Sequence, residues 1–173
     1  MRHLVILLDT SGSVALEGVH KVAQVNDLIR DLLTAMDGKA SSVSLVIYSD
    51  IARLYWSSGS KEIFRDIPEK EFDGRSNLGK AYTFVKDMML HRSLSAQKLC
   101  MVLISDGEAT DNYLARLREL DPKQEATRVA GAIGINRDTL EYHIGTNGII
   151  FSDVTSLNDR DEFFDEISNK LIK

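Results

Sequence analysis

Four apolar runs, at residues 4–8, 43–48, 99–104 and 129–135, are continuous rather than alternating. A strand whose residues are apolar throughout needs cover on both faces, the condition inside a parallel sheet flanked by helices. A fifth run, residues 52–56, follows Tyr48 after a Ser49-Asp50 turn. That connection is too short for a crossover helix, so it predicts an antiparallel hairpin. A weaker run at 148–151 is expected to form a last edge strand.

Helical patterns fill the gaps. Val22, Val25, Ile29, Leu32 and Met36 step by 3, 4, 3 and 4, and Leu78, Tyr82, Val85 and Met89 keep the same rhythm. Such stepping marks one face of a helix. Tyr113, Leu117 and Leu120 give a shorter helix ended by Pro122. Phe163, Phe164, Ile167 and Leu171 give a C-terminal helix begun near Asn158 or Asp159, and residues 137–143 a further one. The alternation predicts an α/β fold: a doubly wound, Rossmann-like, mostly parallel central sheet of about six strands, one antiparallel, with helices on both faces. Residues 57–74 lack clear periodicity and are expected to be loop, with a short helical piece at 62–67. The 173 residues suit one domain, 1–173, with no catalytic module attached.

The net charge is −5, which argues against a nucleic-acid or anionic-membrane partner, since both require a basic face. Cys100 is the lone cysteine, so no intrachain disulfide forms. The first apolar run stops at Asp9, short of the ~7–15 residues of a signal-peptide core. Domain structure is expected to begin almost at Met1, leaving no room for a leader. No run approaches the ~20 residues of a membrane span. A cytoplasmic protein is the expectation.

In open α/β sheets, ligands bind beyond the carboxyl ends of the strands. The first strand is followed by Asp9-Thr10-Ser11-Gly12-Ser13, and the 99–104 strand by Ser105-Asp106-Gly107-Glu108. Gly74-Arg75-Ser76-Asn77-Leu78-Gly79 precedes the second large helix. These loops should converge, presenting the carboxylates of Asp9 and Asp106 and the hydroxyls of Ser11, Ser13 and Ser76, without His or Cys. An all-oxygen set suits a hard divalent cation such as Mg²⁺. Two carboxylates balance the ion's charge, and the hydroxyls fill positions without adding more. The ion then stays electrophilic enough to accept a carboxylate from another molecule.

Asp9-Thr10-Ser11-Gly12-Ser13 resembles the DxSxS signature of von Willebrand factor A domains, which opens their metal ion-dependent adhesion site (MIDAS). Gly74 to Ala81 is similar to the family's second loop, which usually carries Thr where Ser76 stands. Ile104 to Asp111 is similar to the third element, whose Asp belongs to the metal site. The resemblance spans essentially the whole chain. It implies Ser11, Ser13 and Ser76 as direct or near-direct ligands, with Asp9 and Asp106 binding directly or holding coordinated water. The ion implied is Mg²⁺, or else Mn²⁺ or Ca²⁺. The partner implied is a protein offering an Asp or Glu carboxylate. Ser76 lacks the methyl of Thr, so its rotamer is less fixed and metal binding should be somewhat weaker. Val25-Asn26 and the Asp161-to-Ser168 ending are further similar to the cytoplasmic bacterial group typified by the tellurite-resistance protein TerY. That likeness implies kinase- or phosphatase-like partners in a stress-response system.

Other readings use the same residues. Asp9, Ser11 and Ser13 also suit turns and helix caps. A Mg²⁺-dependent phosphohydrolase would use Asp9 as nucleophile, but Ser11 stands where such an enzyme has its second Asp, and only Arg75 and Lys80 are near as cations. A scaffold that no longer uses metal is the third reading. Gly79-Lys80 lacks the full phosphate-loop spacing, and none of the four histidines falls in the three loops.

Overall fold

The computed structural model describes residues 1–18, 20–134, 137–145 and 148–172. In chain order the elements are β1 (His3–Asp9), α1 (Gly12–Leu16), α2 (Lys21–Ala35), β2 (Ser42–Tyr48), β3 (Ala52–Ser57), α3 (Leu78–Arg92), β4 (Leu99–Ser105), α4 (Tyr113–Leu120), β5 (Thr127–Ala132), α5 (Arg137–Ile144), β6 (Ile149–Phe151) and α6 (Leu157–Ile172). The strands form one sheet in the order β3-β2-β1-β4-β5-β6. Every neighbouring pair is parallel except the β2–β3 hairpin. This is the expected doubly wound α/β fold.

Burial explains the continuous apolar runs. On β1, Leu4, Ile6 and Leu8 face a core shared with α1, α2 and α6, while Val5 and Leu7 face one shared with α3, α4 and α5. Side chains alternate across a strand, so a strand covered on both faces needs apolar residues at each step.

Three local expectations change. Residues 62–67 are not helical, and the helical turn of this region is a 3-10 turn at Glu69–Glu71. Pro68 disfavours the α conformation at Ile67, and the segment is pinned open by long-range bonds. Helix α1 has no counterpart in the sequence reading, because five residues are too few to show a helical period. Strand β5 stops at Ala132, and Ile135, at the end of the expected fourth run, lies outside the described residues.

The segment between β3 and α3 works as a strap that delivers Ser76 to the sheet edge. The buried Asn26 side chain accepts from the Ile67 backbone N–H (2.7 Å) and donates to the Ile67 carbonyl (2.9 Å). Trp56 Nε1 donates to the Glu62 carbonyl (2.9 Å), and the Tyr55 hydroxyl to that of Asp66 (3.1 Å). Arg53 pairs with Glu71 at 2.7 Å. Ile67 and Phe72 are buried beneath the strap. Asn26→Ala would strand two buried backbone groups, and a loss of about 2–4 kcal/mol is expected in urea unfolding. Proteolysis within 58–74 should also accelerate, because the strap opens locally. A change below about 0.5 kcal/mol, within the range of ordinary surface substitutions, would contradict this role for Asn26.

Candidate functional site

Strands β1 and β4 lie side by side, in register from His3–Leu99 to Leu8–Ile104. From β1 the chain winds outward to β2 and β3, and from β4 it winds the other way to β5 and β6. The strand order therefore reverses between β1 and β4, and such a switch point opens a crevice at the carboxyl ends of the strands. Asp9 closes β1, and Asp106 directly follows β4.

Asp9 is fully buried. Its Oδ2 accepts from the hydroxyls of Ser105 (2.7 Å) and Ser76 (2.8 Å), and its Oδ1 from the Ser11 backbone N–H (2.9 Å). Ser11 occupies the N-cap position of α1, yet its hydroxyl makes no cap bond. It lies 3.0 Å from the Ser13 hydroxyl instead. The capping reading thus does not account for the Ser11 side chain. Asp106 is also fully buried, and its Oδ1 accepts from the Glu108 backbone N–H (3.1 Å). Its Oδ2 is buried with no hydrogen-bond partner.

The three loops are tied to one another. Gly12 N–H donates to the Gly74 carbonyl (3.1 Å), and Thr110 N–H and Oγ1 both donate to the Ser76 carbonyl (2.9 and 3.2 Å). Asp111 Oδ1 accepts from Gly79 N–H at the start of α3 (2.9 Å). Gly74 has φ +81°, a left-handed conformation that favours glycine; a Cβ there would also displace the exposed Asp50 carboxylate.

Burial first, and then the charge of Asp106, raises the Asp9 pKa from its ordinary 3.8 to about 6. The Glu17 carboxyl, just after α1, is raised by partial burial and then by Asp106. Tyr48, opposite Asp9 on β2, has a buried hydroxyl without a partner, and its pKa is raised by burial and by Asp9. Ser105 and Tyr48 were not among the residues nominated from sequence. Ser105 could have been found as the polar residue ending an otherwise apolar strand, one step before Asp106. Nothing in the sequence sets Tyr48 apart from a core tyrosine.

The set is all oxygen: two carboxylates with hydroxyls close by. Among the described residues no three His, Cys, Asp or Glu side chains converge on a common point. An orphaned buried oxygen on Asp106, next to an Asp9 that gathers the Ser76 and Ser105 hydroxyls, fits a hard divalent cation. No described helix is long and apolar enough to cross a membrane.

The architecture and the switch-point loops define an α/β domain of the doubly wound type with an oxygen-lined crevice. The family model for the von Willebrand factor type A domain matches residues 3–167, and the chain belongs to that family. No curated protein matches it. Among solved structures it is similar to the SpRpn10 VWA domain, with TM-score 0.68 and 14% identity over 96% of this chain and 95% of that one. It is also similar to a von Willebrand factor type A protein from Catenulispora acidiphila (TM-score 0.67, 14% identity, 99% of this chain and 42% of that one). A third is mussel byssus proximal thread matrix protein 1 with a zinc-occupied MIDAS motif (TM-score 0.64, 15% identity, 99% of this chain and 46% of that one). The chain thus spans less than half the length of the last two proteins.

The raised Asp9 pKa has a stability consequence. The folded state holds this proton more tightly than the unfolded chain, so stability falls as pH rises between the ordinary value of 3.8 and about 6. The difference between 3.8 and about 6 corresponds to roughly 3 kcal/mol. Asp9→Asn removes the charge, so in EDTA at pH 7 this variant is expected to melt several degrees above wild type. A variant melting below wild type would contradict the charge argument.

Proposed function

We propose that the chain is a metal-dependent protein-interaction module. A divalent cation, Mg²⁺ or else Mn²⁺ or Ca²⁺, would be held by the hydroxyls of Ser11, Ser13 and Ser76, with Asp9 and Asp106 binding it directly or through coordinated water. When bound, the ion supplies an electrophilic position for an Asp or Glu carboxylate of a protein partner. The observation that carries this reading is Asp106 Oδ2, a carboxylate oxygen buried without a partner. Asp9 has a preparatory part. By accepting the Ser76 proton on Oδ2, it leaves the lone pairs of that hydroxyl free to serve as a ligand. The zinc in the mussel protein's MIDAS motif supports a divalent ion at the corresponding place.

The module is proposed to be non-enzymatic. Ser11 supplies a hydroxyl, already engaged with Ser13, where a phosphohydrolase would need a second carboxylate. Kinase- or phosphatase-like proteins of a bacterial stress or tellurite-resistance type system, in the cytoplasm, are the partner class and setting proposed from the family-level resemblance.

Isothermal titration with Mg²⁺ and Mn²⁺ is expected to show saturable binding to wild type and none to Asp9→Ala. Ser76→Thr is expected to tighten binding about two- to fivefold, because the added methyl restricts the side-chain rotamer. Equal titration of wild type and Asp9→Ala would contradict the metal site. In a pull-down from native cells, capture of the partner in Mg²⁺ and its loss in EDTA is expected. Capture unchanged in EDTA would favour a metal-independent scaffold.

A further inference from the structure

One buried polar group beside the site has no part in the cation reading so far. Tyr48 ends β2 in register with Asp9 on β1, and Ser105 ends β4 one step beyond the Leu8–Ile104 pair. Val46 and Tyr48 on β2, Val5 and Leu7 on β1, and Met101 and Leu103 on β4 all face the core shared with α3. Side chains alternate along a strand, so Asp9 and Ser105 continue the last two of these rows. Tyr48, Asp9 and Ser105 therefore stand side by side on one face, at the carboxyl ends of three adjacent strands spaced roughly 5 Å apart. Ser76, just before α3, closes the group through its bond to Asp9.

Tyr48 is 1% exposed, and its hydroxyl has no hydrogen-bond partner among the described residues. Tyr82, fully buried on the same face, donates to the His143 carbonyl. A buried hydroxyl without a partner is a net cost to the fold, and phenylalanine would fill the same space without it. Burial raises the Tyr48 pKa most and the charge of Asp9 raises it further, while the hydroxyls of Ser105 and Ser76 lower it, so all three groups lie close to the phenol.

Donor and acceptor capacities decide which neighbour can accept from it. Asp9 Oδ2 already accepts two hydroxyls. Ser76 Oγ gives its proton to Asp9, and its lone pairs are those a cation would take. Ser105 Oγ donates to Asp9 and accepts the Gly107 N–H at 3.1 Å. A hydroxyl has one donor and two acceptor places, so Ser105 Oγ keeps one acceptor place open.

We propose that Tyr48 is a positioning residue for the cation site: on cation binding its hydroxyl donates to Ser105 Oγ, completing a relay from Tyr48 through Ser105 to Asp9. The proposal rests on the metal-site reading. The relay strengthens the Ser105 bond to Asp9, because hydrogen bonds in a chain polarise one another. It holds the Asp9 carboxylate in place beside the ion, and it fixes Ser105, the residue immediately before Asp106. The phenol thus acts on both carboxylates without touching the ion.

Isothermal titration with Mn²⁺ and thermal melting in EDTA test it, each on wild type, Tyr48→Phe, Ser105→Ala and the double variant. Tyr48→Phe keeps the buried ring and is expected to bind Mn²⁺ about three- to tenfold more weakly, the worth of one net hydrogen bond. Its melting temperature in EDTA is expected to equal or exceed that of wild type, because only an unpartnered hydroxyl is lost. The double variant is expected to bind no more weakly than Ser105→Ala alone, since the phenol acts through Ser105. Unchanged affinity in Tyr48→Phe, a lowered melting temperature in EDTA, or additive losses in the double variant would overturn the proposal and leave the metal site standing. Wild type that takes up no Mn²⁺ would overturn the metal-site reading and the relay together.

Discussion

Two carboxylates, Asp9 and Asp106, are fully buried where the winding of the sheet reverses, and the cost of burying them, to which the charge of Asp106 adds at Asp9, is the constraint on which the surrounding loops depend. Either carboxylate alone could be satisfied by hydrogen bonds, as Asp9 is by Ser11, Ser76 and Ser105. The second is satisfied on one oxygen only. Coulomb repulsion between them is strong at close range in a region shielded from water. The fold tolerates this arrangement because the strands beneath it are among its best buried elements, and their packing holds both groups in place whatever the local cost. Strain of this kind gathers at sites where a ligand relieves it.

The loops are placed by cross-ties rather than by their own propensities. Ser76 reaches Asp9 at the end of a strap pinned to α2 by Asn26 and to β3 by Tyr55 and Trp56. Its carbonyl is then held by Thr110, from the loop that carries Asp106. Each loop is thus positioned by another, which fixes the hydroxyls relative to the carboxylates. Ligand affinity at such a site depends on this pre-organisation as much as on donor identity.

The parts most legible in the sequence are those governed by burial. Short continuous apolar runs set between stretches of helical stepping fit strands covered on both faces, so the sheet, the hairpin and the main helices are legible from run length and periodicity. The candidate site was legible through Asp9, Ser11, Ser13, Ser76 and Asp106 because their loops follow strand ends or precede a helix in a recognisable order. Ser105 reads in the sequence as the first residue of a loop, whereas it closes β4 and bonds Asp9, 96 positions away. The strap departs from the helical piece expected at 62–67, since helix-forming residues there are overruled by Asn26, which lies 41 positions from Ile67. The short α1 and the cross-ties leave no local pattern either. Long-range hydrogen bonds of this sort depend on which loops the topology brings together, and that is known only once the strand order is.

The most direct measurement is an anomalous difference map from crystals of the chain grown with Mn²⁺. One peak is expected in the crevice, within coordination distance of the hydroxyls of Ser11 and Ser76, with Asp106 Oδ2 bonded to the ion or to a water on it. Density without a peak there, or a peak elsewhere with Asp106 Oδ2 still unpartnered, would contradict the reading of these two carboxylates as a cation site.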